Sequence, residues 1–215
     1  MRRRVGILIS GRGSNMEALI AASRAADYPA EVVLVIANHA HAGGLALAAA
    51  AGVPTLAIPH RDFGRDRAAH EARIDDALRA ARVEIVCLAG YMRLLSGLLV
   101  GRWAGRMLNI HPSLLPAFPG LDTHARALAA GVKLHGCTVH VVTETMDEGP
   151  ILAQAAVPVL PGDSAESLAL RVLVQEHRIY PAALAAFARG GNPPPAMAPA
   201  EAALLNPLPA PPRFP

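Results

Sequence analysis

Two short stretches of this chain carry residues whose types and spacing could do chemistry. In Met107-Leu108-Asn109-Ile110-His111 an amide and an imidazole lie two positions apart, so an extended strand points both to the same side. That pair suits transfer of an acyl-type group. Asn can donate to a developing oxyanion, and His can hold or supply a proton near neutral pH. The following loop, Pro112-Ser113-Leu114-Leu115-Pro116, is stiffened by its prolines where side chains need fixed aim. The second stretch, Gly11-Arg12-Gly13-Ser14-Asn15, stands between an apolar run and a helical pattern. Free backbone N–H groups and the positive end of the helix dipole favour an anion there, usually phosphate. A dinucleotide fingerprint needs a third glycine where Met16 stands, and an acidic residue where the second strand ends in Ala37-Asn38. The loop therefore suits a monophosphate better than a nicotinamide dinucleotide.

Asp147 lies in Glu144-Thr145-Met146-Asp147-Glu148-Gly149-Pro150, a connection whose acidic residues would ordinarily face solvent. A carboxylate reaching His111 from there would orient the imidazole and lie against any charge it takes up. His135 and His140 raise the question of a metal, but no HExxH or Cys/His ligand spacing accompanies them, and no metal site is expected. A GxSxG elbow and a reactive-cysteine arrangement are also missing from the sequence.

The elements that must position these residues alternate along the chain. Apolar runs at Val5–Ser10, Val32–Ala37, Thr55–Ile58, Glu84–Ala89 and Met107–Ile110 read as strands. Helical patterns at Ser14–Ala26, Gly44–Ala51, Arg65–Ala81 and Leu98–Trp103 separate them. Continuously apolar strands alternating with helices predict an α/β fold with a doubly wound, mostly parallel sheet. Thr138–Thr143 and Ile151–Val159 are joined by too short a connection for a crossover helix, so they are expected to be antiparallel. A final long helix over Ser164–Arg189 should start at Asp163 or Ser164 as N-cap and kink at Pro181.

Composition bounds the rest. The 20 basic and 17 acidic side chains give +3, and Arg2, Arg3 and Arg4 account for that excess. A short basic N-terminus on a balanced chain argues against a nucleic-acid protein. Alanine supplies 44 of the 215 residues and inflates the hydrophobic fraction; no apolar run is long enough to span a bilayer. The apolar part of MRRRVGILIS is too short for a signal peptide, and two cysteines are too few for a disulfide framework. A reduced, cytoplasmic protein is expected. Nine of the last 23 residues are proline, so residues 1–190 are expected to form one domain and 191–215 an extended or disordered tail.

Together the segments 7–20 (ILISGRGSNMEALI), 88–96 (LAGYMRLLS), 107–128 (MLNIHPSLLPAFPGLDTHARAL), 135–159 and 175–181 (QEHRIYP) resemble the phosphoribosylglycinamide formyltransferases, folate-dependent enzymes of purine synthesis. The resemblance runs in order from about Val5 to Phe187. It implies a Rossmann-like formyltransferase fold with Asn109, His111 and Asp147 as the catalytic trio. It further implies Gly13, Ser14, Asn15 and Glu176 on the phosphate and ribonucleotide, and Met92, Arg93, Leu94, Leu95 and Asn109 on the folate. Arg67 matches a folate-side arginine only after a one-residue shift. Asp122 stands where the family often has a second histidine.

The co-substrate implied is 10-formyltetrahydrofolate, with no metal and no nicotinamide. Small-molecule substrates, no nucleic-acid or membrane partner and a monomer or homodimer go with it. Three other readings stand beside this one. A formyltetrahydrofolate hydrolase shares the trio but usually has an N-terminal regulatory domain, for which no room is expected before Val5. Methionyl-tRNA formyltransferase adds a C-terminal tRNA-binding domain that the proline-rich stretch cannot replace. A non-catalytic binder of a phosphate ligand would not need the trio.

Overall fold

Along β1 (Arg3–Ile9), Val5, Ile7 and Ile9 face one way and Leu8 the other, and all four are completely buried. A strand buried on both faces must lie inside a sheet covered on both sides. The computed structural model describes residues 1–190 and shows that sheet. Its strands lie in the order β3-β2-β1-β4-β5-β6-β7, where β2 is Ala30–Ala37, β3 Thr55–Ala57, β4 Ile85–Leu88, β5 Met107–His111, β6 Leu134–Val141 and β7 Ile151–Pro158. The first five pair in parallel, while β5 with β6 and β6 with β7 are antiparallel. The doubly wound sheet, the antiparallel pair and the final helix are all present.

One face packs against α1 (Ser14–Ser23), α2 (Gly43–Ala50), α5 (Thr123–Ala129) and α6 (Ala165–Gly190), with Met16, Leu19, Ala48, Val172 and Leu184 in the layer beneath. The other packs against α3 (Arg67–Ala80) and α4 (Gly97–Arg102) through Ile74, Leu78, Leu99 and Trp103. Gly6 lets α3 approach β1: an added Cβ would lie 2.6 Å from Leu78 Cδ2. Tyr180 of α6 is completely buried and its hydroxyl lies 3.1 Å from the Leu88 carbonyl and 3.2 Å from that of Leu108, so one helix reaches the ends of β4 and β5.

Several boundaries shift from the sequence expectation. β6 starts four residues earlier, at Leu134, and ends at Val141. The short helix α5 and a 3₁₀ turn at His60–Phe63 were not expected, because neither is long enough to show a helical period. Ser164 caps α6, accepting from the Ser167 N–H at 3.2 Å, and the helix continues through Pro181. The arginine run is built into the start of the central strand β1 rather than standing free. Arg3 pairs with Glu84 at 2.5 Å, while Arg4 donates to the Ala81 carbonyl and Arg2 to that of Ala30. The proline-rich stretch 191–215 lies outside the described residues. Among the described residues no helix is long and apolar enough to cross a membrane.

Candidate active site

At the end of β1 the chain turns through Ser10–Gly13, and Gly13 adopts φ +76°, a left-handed conformation that glycine takes without steric cost. Ser14 then opens α1, whose first-turn N–H groups lack partners in the preceding turn of helix. The loop can come this close to α2 because Gly44 has no side chain: a Cβ there would meet Ile9 Cδ1 at 2.6 Å and the Arg12 carbonyl at 2.9 Å. Gly13, Ser14 and Asn15 line an open cavity of about 420 Å³ that Ala89, Gly90 and Met92 also line. Asn15 is 8% exposed and donates from Nδ2 to Glu176 Oε2 at 2.6 Å, while its Oδ1 has no protein partner. Burial pushes the Glu176 carboxyl above the usual carboxylate range, and the bond from Asn15 opposes that rise. Ser10 and His39 also line this cavity, and residue-type reasoning had not singled them out.

Asn109 and His111 lie on one side of β5 as their spacing requires, with Asn109 level with Leu88 at the end of β4. His111 is 5% exposed. Its Nε2 is 3.0 Å from the Phe118 carbonyl, and its Nδ1 is 3.5 Å from Asp147 Oδ2. Both ring nitrogens therefore face acceptors, an arrangement that a doubly protonated imidazole satisfies. Asp147 does not face solvent. The β6–β7 connection folds back over the sheet, with Asp147 at φ +59° and its Oδ2 accepting from the Gly120 N–H at 2.9 Å. That fold-back depends on Gly149, where a Cβ would sit 1.7 Å from the Val141 carbonyl oxygen.

A fourth polar side chain joins this group. The β5–β6 register sets His140 directly opposite Asn109, and His140 Nε2 lies 3.1 Å from Asn109 Nδ2 and 3.8 Å from Asp147 Oδ1. An amide nitrogen only donates, so Nε2 accepts and Nδ1–H donates to the Val141 carbonyl at 3.2 Å. Burial holds the His140 imidazole below its usual range, in keeping with that neutral tautomer. Sequence reasoning met His140 only as a possible metal ligand. The cross-strand register that pairs it with Asn109 could not be read from one sequence.

The segment 91–95 meets the glycine-loop cavity through Met92. Met92 and Leu94 are 72% and 60% exposed, Leu95 packs against the α3–α4 side of the core, and Arg93 is half-buried with its Nε unpaired. Arg67 is exposed at the first position of α3, and no hydrogen bond or ion pair brings it to the others. Asp122 adopts φ +54° immediately before α5 and makes no side-chain capping bond.

Residues 3–184 match the formyl transferase family. The chain is 52% identical over 191 residues to the trifunctional purine biosynthetic protein adenosine-3 of Drosophila pseudoobscura pseudoobscura, covering 88% of this chain but 14% of that protein. The chain thus spans about a seventh of the length of that relative. It is 44% identical to the phosphoribosylglycinamide formyltransferase of Escherichia coli, over 86% of each chain. The crystal structure of phosphoribosylglycinamide formyltransferase from Brucella melitensis superimposes with a TM-score of 0.84 at 62% identity, covering 88% of this chain and 97% of that one.

Proposed function

The chain belongs to the formyl transferase family, and we propose that it transfers the formyl group of 10-formyltetrahydrofolate to the amine of 5-phosphoribosylglycinamide, giving formylglycinamide ribonucleotide and tetrahydrofolate. The observation that carries this reading is the convergence of Asn109, His111 and Asp147 at the same ends of the parallel strands from which the glycine loop leaves β1. The substrate phosphate binds at Gly13, Ser14 and Asn15, and Glu176 with the free Asn15 Oδ1 takes hydrogen-bond donors of the ribonucleotide. The folate lies along Met92, Arg93, Leu94 and Leu95, with Arg93 facing its acidic end; Arg67 is assigned to that end on resemblance alone.

The glycinamide nitrogen attacks the formyl carbon, and the carbonyl oxygen becomes an oxyanion. Asn109 already gives one amide hydrogen to His140, so the other is free to donate to that oxygen, alongside protonated His111. Asp147 holds His111 in place through Nδ1 and orders the water that carries a proton from the attacking nitrogen to N10 of the folate. The carbon–N10 bond then breaks. Holding both substrates in line contributes several kcal/mol of the barrier reduction, to order of magnitude. Neither a metal nor a nicotinamide takes part. The catalytic unit is residues 1–190.

One assay tests the acceptor: 10-formyltetrahydrofolate consumption with and without the ribonucleotide. Consumption that requires the ribonucleotide is expected. Equal consumption without it would make water the acceptor and the chain a hydrolase; no consumption with native-like binding would leave a non-catalytic binder.

A further inference from the structure

The cavity beside the glycine loop has two walls, and they belong to different substrates in the reading above, on which this inference rests. Ser10, Gly11, Gly13, Ser14 and Asn15 form the ribonucleotide wall, while Gly90 and Met92 begin the folate wall. Ser10 joins the two. Its backbone N–H donates to the Gly90 carbonyl at 3.2 Å, and its hydroxyl oxygen accepts from the Met92 N–H at 2.8 Å. The stretch from Tyr91 to Ser96 has no regular secondary structure and is held by side chains at its two ends. At the far end buried Glu71 accepts from the Ser96 N–H at 2.9 Å and from the Ser96 hydroxyl. At the near end the anchor is the Ser10 hydroxyl.

We propose that Ser10 is a positioning residue that couples the two halves of the site, so that binding of either substrate strengthens binding of the other. A phosphate held by the glycine loop fixes the end of β1 and with it the Ser10 oxygen. That oxygen fixes the Met92 amide and the start of the folate-facing segment. The same bond works in reverse when folate orders that segment first, and the coupling must be reciprocal because it is a single free energy.

The test uses tetrahydrofolate, which carries no formyl group to transfer, and the ribonucleotide, titrated singly and together by calorimetry. In the native protein each ligand should tighten the other by at least about 5-fold, the lower end of ordinary coupling. Ser10→Ala should bring that factor close to one in both directions. Ser10→Thr, which keeps the oxygen, should retain it. A native factor near one, or a native-sized factor in a Ser10→Ala protein that melts like the native one, would overturn the proposal. Failure of the native protein to bind the ribonucleotide at all would instead sink the formyltransferase reading.

Discussion

At the scale of single residues, the trio makes unequal demands on its surroundings. Asn109 and His111 are aimed by strand geometry, whereas Asp147 is held in place by a returning loop and the Gly120 N–H. His111→Ala should lower kcat by about 10²–10⁴-fold, the usual worth of a placed acid–base group. Asn109→Ala should cost about 10²–10³-fold, the worth of one oxyanion donor. Asp147→Asn should fall between them, with KM for the ribonucleotide changed little because the phosphate loop is untouched. Steady-state rates of formylfolate consumption check all three, and a Asp147→Asn rate within twofold of native would remove Asp147 from the mechanism. The two strand residues were legible from a spacing of two in an apolar run. Asp147 was not, since no local pattern distinguishes an acid that returns over a sheet from one that faces water; the resemblance supplied it. Asn15 was legible as lying where the glycine loop opens α1, but its buried pairing with Glu176, across 161 positions of sequence, was not.

At the scale of elements, the site depends on close approaches that only glycine permits. Gly44, the second residue of α2, meets the glycine loop, donating its N–H to the Gly11 carbonyl at 3.1 Å. Gly44→Ala should push that loop away from α2 at an overpacking cost of about 1–3 kcal/mol. We expect the ribonucleotide dissociation constant, measured alone, to rise about tenfold or more; a twofold change would mean the loop accommodates the methyl group elsewhere. The parallel strands were readable because continuous apolar runs separated by helices have few other folds available. The antiparallel turn of β6 and β7 was readable from the shortness of their connection. Their exact register was not, and with it went the pairing of His140 with Asn109. The seven residues of α5 were invisible for a simpler reason: they complete too few turns to show a period.

At the scale of the whole molecule, stability should depend on pH through buried imidazoles. Burial lowers the folded-state values of His70, His124, His135, His140 and His177, that of His135 from 6.5 to about 4. These groups stay neutral when folded and charge more readily when unfolded, so unfolding takes up protons as pH falls below about 6.5. The melting temperature should therefore drop from pH 6.5 towards 4, and His135→Gln should make that slope shallower. An unchanged slope would mean His135 is already charged in the fold. A chain ending at residue 190 should keep native transfer rates, measured by the same formylfolate assay, and a large loss would assign the proline-rich stretch a part in the site. The bond between Asn15 and Glu176 has a consequence for the birth of the protein. During translation Asn15 is made 161 residues before Glu176, so the start of α1 lacks its buried carboxylate partner until α6 follows. On the proposed reading, competence to hold the ribonucleotide therefore waits until α6 has settled on α1.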